Sequence, residues 1–216
     1  MPFREISLAR TMEFSGNRIL QPANLSGLLF FLAGSVILMG IITAEIFYPA
    51  GYSTATSEIS DLGATRPPYS LIYQPSASIF NATMIIGGLL ILAASFFLFR
   101  KYKRWIIVLF PVLLGIGVLG VGIFPGNMAP FHGICALVAF IAGGLSAITT
   151  ALVTPAPFSY LLAFLGLVTL VFLFFSSVFI PMLGDGGTER FVAYPVVIWA
   201  IGFGGYLTGT GKKYTN

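Results

Sequence analysis

The chain has 216 residues, of which 57% are hydrophobic and 8% are charged. Soluble domains carry about 25% charged residues, so this composition excludes an ordinary water-soluble domain. Several uninterrupted apolar runs reach the roughly 20 residues that cross a hydrocarbon core about 30 Å thick, whereas a membrane β-barrel would show alternating strands of about 10 residues. The predicted class is therefore an all-α, polytopic membrane protein. The formal net charge of +4 reflects its topology and does not indicate a nucleic-acid partner.

The apolar runs predict six transmembrane helices in one bundle, flanked by two polar tails. The helices are expected over about residues 25–48, 77–99, 105–124, 130–153, 158–180 and 191–209, within one domain over residues 25–209. Asn24 is the expected N-cap of the first helix. Residues 1–24 are predicted as a cytoplasmic tail, in which an interfacial helix is one option because apolar residues recur along one side. Residues 210–216 are predicted as a second cytoplasmic tail.

The third predicted helix contains glycines at positions 115, 117, 120 and 122, a run that superficially matches the dinucleotide-binding pattern G-x-G-x-x-G. That fingerprint requires a strand before it and a helix after it, whereas this run lies inside an apolar segment. Small residues in a membrane helix instead let a neighbouring helix approach closely. The run therefore predicts helix packing, and no nucleotide or other cofactor is expected.

The distribution of Lys and Arg predicts the orientation in the membrane. Most of the eleven basic residues lie in the two tails and in the connection over residues 100–104, and only Arg66 and Arg190 lie at the other end of the bundle. Cytoplasmic loops are enriched in Lys and Arg, so both termini are predicted to be cytoplasmic. The predicted localisation is the cell membrane, as a multi-pass protein.

Two connections at the extracytoplasmic end carry most of the remaining polar residues. The first, over residues 49–76, is too long to be a simple turn, and long ordered loops tend to be functional. The second covers about residues 181–190. In or beside these loops lie Glu45, Ser57, Ser60, Asp61, Asn81, His132, Glu189 and Arg190. Ionisable groups at membrane depth are costly and are usually paired or functional, so one shared polar site is predicted at this face.

A set of motifs spread along the chain carries a family resemblance. The motifs are Ile59-Ser60-Asp61-Leu62-Gly63-Ala64, Pro68, Ile79-Phe80-Asn81, Phe124-Pro125, His132, Phe140, Gly143, Glu189-Arg190, Tyr194-Pro195 and Trp199. In this order and spacing the chain resembles the DUF998 family of prokaryotic integral membrane proteins. It is more distantly similar to the eukaryotic Frag1/DRAM/Sfk1 group, which shares six helices, an Ile-Ser-Asp-x-Gly loop, an Asn in helix 2 and a His at the start of helix 4. The resemblance implies a lipid-facing role and supplies no established catalytic mechanism.

The leading functional hypothesis is an accessory or lipid-binding membrane protein. Its polar residues would form a ligand-binding site or a hydrogen-bonded network that holds the two outer loops over the bundle, because buried polar groups must be satisfied. The residues assigned to that network are Ser57, Asp61, Asn81, His132, Glu189, Arg190, Tyr194 and Glu45. Membrane lipids are the expected partners, and a second copy of the chain or another membrane protein could also pack against it.

A lipid hydrolase or acyltransferase is the alternative. Ser60 or Ser57 would be the nucleophile, His132 the base, and Asp61 or Glu189 the carboxylate that orients the base, provided that the three groups lie within hydrogen-bond reach. The sequence has no G-x-S-x-G nucleophile elbow. Ordinary turn chemistry also explains a serine next to an aspartate.

Transport and metal binding are further alternatives. A small-solute or ion transporter would place polar groups near the membrane midplane, where predicted helices 2 to 5 have almost only Ser, Thr and Gly. A metal, if present, would be held by His132, Asp61 and Glu189. Zinc sites usually need three protein ligands or more, and the single histidine of the chain is a weak start, so no metal is expected.

Overall fold

The computed structural model describes residues 21–210, and within them the chain is helical without any strand. The six α-helices are α1 Pro22–Ile46, α2 Ser76–Tyr102, α3 Trp105–Ile123, α4 Phe131–Ala151, α5 Phe158–Phe174 and α6 Ser176–Gly209. A short 3-10 helix, η1, covers Ile59–Leu62 in the connection between α1 and α2. The all-α prediction is confirmed. The tail over 211–216 and nearly all of the predicted interfacial helix lie outside the described residues.

Five of the six described helices, namely α1, α2, α3, α4 and α6, are long and apolar enough to cross a membrane. The exception is α5, an apolar helix of 17 residues, which at 1.5 Å per residue is about 25 Å long. The chain is therefore a multi-pass membrane protein. This follows from the length and composition of its helices.

The helices pack in chain order. Each packs against the next, α6 closes onto α1, and α4 also touches α6. The glycines of α3 permit the close approach: a Cβ added at Gly117 would lie 2.6 Å from the backbone nitrogen of Ala139 in α4, a separation that real Cβ atoms do not show. The packing role predicted for the glycine run is therefore confirmed.

The core away from the long loop is aromatic. Phe30, Trp199 and Phe203 are fully buried, and the Phe30 and Trp199 rings meet edge to face with centroids 5.5 Å apart. The indole nitrogen of Trp199 donates a 2.8 Å hydrogen bond to the Thr150 hydroxyl, so its one polar atom is satisfied inside the bundle.

Helix α1 starts earlier than predicted. Its N-cap is Gln21 and its first residue is Pro22, so Asn24 lies inside the helix and the prediction that it is the N-cap was wrong. Proline has no N–H to leave unsatisfied and its fixed φ suits the first helical position. The proline therefore marks the start more strongly than the asparagine.

The predicted fifth helix and the loop after it also need correction. Helix α5 ends at Phe174 and not near residue 180, and a new helix starts at Ser176. Residues 181–190 are helical apart from a break at Gly184, whose φ of 75° and ψ of 171° turn the chain. Glu189 and Arg190 therefore sit on a helix and not in a loop. Their charge indicated a loop, but in the structure both side chains bond to the backbone of the long connection from a helix.

Candidate functional site

The connection over residues 47–75 folds back over one end of the bundle, which we call the loop end. Its helix η1 packs against α1, α2 and α6, and Ile59 and Leu62 are buried there. These two aliphatic side chains thus anchor the connection to the bundle. The polar residues between and around them are held at a fixed position over the helix ends.

Asp61 caps η1. Its Oδ2 accepts a 2.9 Å hydrogen bond from the backbone nitrogen of Glu58, and the two residues form a reciprocal capping box, a device that satisfies orphan donors at a helix start. Burial raises the pKa of the Asp61 carboxyl and that of Glu58 above their ordinary values. The Asp61 carboxylate is therefore committed to local structure.

Arg190 joins the loop to the helices. Its Nη1 donates to the carbonyl oxygens of Thr54 at 2.9 Å and Ser57 at 3.0 Å. Its Nη2 donates to Glu45 Oε1 and to the Tyr52 hydroxyl, both at 2.7 Å. We call this set the Arg190 clamp. A guanidinium offers five donors in a rigid fork, so one side chain satisfies loop carbonyls and also neutralises Glu45 in the last turn of α1.

Loop and helix backbones meet directly beside the clamp. The backbone nitrogen of Gly187 donates a 2.9 Å hydrogen bond to the Ala55 carbonyl. A Cβ added at Gly186 would lie 2.1 Å from the carbonyl oxygen of Ser57. Only glycine permits this approach, which explains why a Gly-rich segment opens the second part of α6.

Glu189 precedes Arg190 and faces other groups. Its Oε2 accepts a short hydrogen bond from the backbone nitrogen of Ile59 at the start of η1. That is the only hydrogen bond that the carboxylate makes to the described residues, and neither ion pair of residues 21–210 includes it. One carboxylate oxygen thus remains available.

His132 has a fixed orientation in the first turn of α4. Its Nδ1 lies 2.7 Å from the carbonyl oxygen of Phe124, and since a carbonyl only accepts, Nδ1 carries the proton. In the neutral ring Nε2 is then an acceptor. The side chain is 8% exposed, so this acceptor belongs to the interior of the loop end.

Two cavities meet at these residues. A central cavity of about 100 Å³ lies inside the bundle and is lined mainly by aliphatic side chains of α1, α2, α3, α4 and α6. A lateral cavity of about 820 Å³ lies between the loop end, α4 and α6. Ser60, His132 and Glu189 line both cavities, and we call these three residues the junction.

The lateral cavity has apolar walls and a polar rim. Its walls include Ile134 and Leu137 of α4 and Leu173 of α5, and the first two are 56% and 50% exposed on a face that in a membrane would meet lipid. The rim carries charged residues of the loop end, namely Glu58, Arg66 and Asp185. The cavity is thus amphiphilic along its length.

The predicted site residues therefore separate into groups. Ser60, His132 and Glu189 line one cavity junction, whereas Glu45, Ser57 and Arg190 belong to the clamp. Tyr194 lies one turn after Arg190 and packs against the core. Asn81 lies beside Gly63, with an Oδ1 that is buried and accepts no hydrogen bond from the described residues.

The arrangement does not assemble a catalytic triad. Within residues 21–210, no hydrogen bond joins His132 to Ser60, Asp61 or Glu189, and its Nδ1 faces a backbone carbonyl where a triad places a carboxylate. Nor does any group of three His, Cys, Asp or Glu residues there come close enough to hold a metal ion. The metal set of His132, Asp61 and Glu189 is therefore not formed.

Sequence reasoning missed two contributors. Arg66 pairs with Glu58 at 2.5 Å, and the Tyr52 hydroxyl donates a 3.1 Å hydrogen bond to the Glu58 carbonyl while it accepts from Arg190. A tyrosine in the same loop as the acids was a usable signal, because an aromatic ring with a polar tip suits a membrane interface. The lateral cavity had no sequence signal, because Ser176 and Ile180, which line it, were predicted as part of the fifth helix.

The fold and site define a multi-pass α-helical membrane protein with a long loop closed over a polar junction. Residues 32–206 match the family described as "Protein of unknown function (DUF998)", and the chain belongs to that family. No curated protein and no solved structure gives a significant match to the sequence. The family resemblance read from the motifs is confirmed, and the more distant likeness to the Frag1/DRAM/Sfk1 group stays a prediction.

Proposed function

We propose that the protein binds a membrane lipid in the lateral cavity, with the head group at the junction and the acyl chains along α4 and α6. The observation that carries this proposal is the cavity of about 820 Å³ with charged groups at one end and apolar walls along the rest. Ligand sites typically have volumes of about 300–1,000 Å³. A molecule with one polar end and apolar chains fits both parts of this lining.

The position of the cavity supports entry from the bilayer. Ile134 and Leu137 are exposed residues in a helix long enough to span the membrane, so lipid chains would meet them without leaving the hydrocarbon region. The central cavity beyond the junction is lined mainly by aliphatic side chains, which favours acyl chains over a path for ions or polar solutes. This lining therefore favours lipid binding over transport.

The proposal includes the orientation of the site. With α5 counted as a crossing, six helices leave both termini on one side. The same side holds Arg100 and Lys101 in the last turn of α2 and Lys103 and Arg104 between α2 and α3. The positive-inside rule then puts that side in the cytoplasm and the loop end outside. Reporter fusions at the C-terminus and within residues 47–75 test this part, and a cytoplasmic reporter signal from the loop would contradict it.

Lipid binding is favoured over hydrolysis or acyl transfer. Ser60 and His132 share the junction, but no hydrogen bond between them activates the hydroxyl. Asp61, the predicted orienting carboxylate, is engaged as a cap. A hydrolase would release free fatty acid from bound lipid over time, so the chain composition of retained lipid separates the two functions.

The test is to fill the cavity. Leu137→Trp places a large ring in the lateral cavity and should lower the amount of lipid retained on the detergent-purified protein roughly tenfold, as counted by native mass spectrometry, since a lost apolar contact of 1–2 kcal/mol corresponds to that factor. The matched control is Leu161→Trp, on α5 and 47% exposed but outside the cavity. Equal lipid retention in both variants would overturn the proposal.

A further inference from the structure

The described carboxylates differ in whether a cation neutralises them. Glu45 pairs with Arg190 at 2.7 Å and Glu58 pairs with Arg66 at 2.5 Å. Glu189 lies in a helix that could span the membrane, and within residues 21–210 its one hydrogen bond comes from the backbone nitrogen of Ile59. A carboxylate at this depth is costly unless it is paired. Among the described residues, no cation therefore forms an ion pair with Glu189.

The surroundings of Glu189 accept hydrogen bonds more readily than they donate them. The lateral cavity is lined by three carboxylates, Glu58, Asp185 and Glu189, and by one cation, Arg66. His132 contributes an acceptor, because its Nδ1 proton is already given to the Phe124 carbonyl. Arg190 does not line the cavity, and its two terminal nitrogens are engaged by the clamp. The cavity thus favours a ligand that brings positive charge and N–H donors.

We propose that the lateral cavity selects a lipid whose head group ends in a primary ammonium, with Glu189 as the countercharge. This inference rests on the proposed lipid-binding function and specifies its ligand. A primary ammonium has three N–H donors, and the junction offers three acceptors in the free oxygen of Glu189, Nε2 of His132 and the hydroxyl of Ser60. A quaternary ammonium carries the same charge without any donor and cannot make these bonds.

Arg66 completes the match to a zwitterionic head group. Its side chain is 72% exposed and stands at the cavity rim, so it can bond a phosphate without leaving Glu58. Guanidinium groups suit phosphate because they donate two parallel hydrogen bonds. A phosphoethanolamine head would thus place its ammonium at the junction and its phosphate at the rim.

The experiment is a competition on the full chain in detergent. The purified protein is offered equimolar phosphatidylethanolamine, phosphatidylcholine and phosphatidylglycerol with identical acyl chains, and bound lipids are counted by native mass spectrometry. We expect phosphatidylethanolamine to be enriched roughly tenfold over phosphatidylcholine, the factor for one charged hydrogen bond. Equal binding of these two lipids would overturn the inference.

Variants at position 189 test whether Glu189 is responsible for the head-group preference. Glu189→Gln keeps an oxygen for the Ile59 N–H and removes the charge, so bound phosphatidylethanolamine should fall to the level of bound phosphatidylcholine. Glu189→Asp keeps the charge and should retain part of the preference. An unchanged preference in Glu189→Gln would show that the carboxyl is not the countercharge and would overturn the assignment.

Two further measurements distinguish a failure of the ammonium inference from a failure of the proposed lipid binding. Soluble glycerophosphoethanolamine in excess should not displace the bound lipid, because it lacks the chains that the apolar walls hold. Displacement would mean that the site binds a free amine, which overturns the lipid assignment. If Leu137→Trp removes all three lipids equally and wild type shows no head-group preference, lipid binding stands and the ammonium inference fails. If Leu137→Trp changes nothing, the proposed function itself fails.

Discussion

Glu189 and Arg190 are neighbours in the chain and have opposite environments. Arg190 donates to Glu45, Tyr52 and loop carbonyls, so its terminal nitrogens are occupied within the fold. Glu189 receives one backbone hydrogen bond from the described residues and lines both cavities. The difference shows that charge at membrane depth does not by itself mark a binding group. Arg190, whose terminal nitrogens are engaged, holds the loop to the helices, whereas Glu189 lines the cavity that is proposed to bind lipid.

Removal of the Arg190 guanidinium should have the largest effect on stability. Arg190→Met leaves Glu45 unpaired and the carbonyls of Thr54 and Ser57 without donors, and breaking a buried ion pair costs about 3–5 kcal/mol. The midpoint of thermal unfolding in detergent measures the loss. Arg66→Met is the matched control, because the Arg66 side chain is 72% exposed and ion pairs at the surface contribute about 0–1 kcal/mol. Similar midpoints for the two variants would contradict the role of the clamp.

A smaller loss is expected where the loop backbone meets α6. Gly186→Ala would place a methyl group 2.1 Å from the Ser57 carbonyl oxygen, so the loop must shift, and overpacking of this kind costs about 1–3 kcal/mol. Gly205→Ala, later in the same helix with nothing within 4 Å of the added atom, should instead gain up to about 1 kcal/mol from helix propensity. Thermal unfolding of both variants checks the sign, and destabilisation by Gly205→Ala would show that the method reports something other than this contact.

Sequence patterns predicted the helix bounds better than the arrangement of the polar residues at the loop end. Apolar length located most helix bounds within a few residues, because hydrocarbon thickness fixes how long a spanning run must be. The predicted membrane depth of the polar residues also placed Ser60, His132 and Glu189 at one end of the bundle, and the structure brings them to one junction. The predicted depth of a residue in the membrane does not say which side of a helix the residue lies on. The sequence therefore could not separate Glu189 from Arg190.

The break after α5, the turn at Gly184, the lateral cavity and the tautomer of His132 depended on backbone geometry that composition does not encode. The apolar run of residues 158–183 continues through the break after Phe174, because residues 175–177 carry no charge that would mark an interruption. Gly184 turns the chain through a positive φ, but many membrane helices contain glycine without a break. The lateral cavity is lined by residues on both sides of these two breaks, so the sequence could not locate it. The same holds for the tautomer of His132, which is set by one carbonyl of the turn before α4.

Substitutions of Asp61 should cause the smallest losses of stability, and the direction of their pH dependence is the clearest test. Asp61→Ala removes the acceptor for the Glu58 N–H and should cost about 1 kcal/mol, the usual loss of a cap. Asp61→Asn keeps an acceptor and should lose less than half of that at pH 7. Thermal unfolding of the wild type and both variants in the same detergent makes this comparison.

The pH dependence then distinguishes a cap from a required charge. Burial raises the pKa of the folded Asp61 carboxyl above its value in the unfolded chain, so between these two values the folded state binds more protons and its stability falls as pH rises. On acidification from pH 7 to pH 4 the wild type should therefore gain stability relative to Asp61→Asn. A relative loss would mean that the folded protein stabilises the ionised carboxylate, and Asp61 would then belong with Arg190 as a charge that the fold requires.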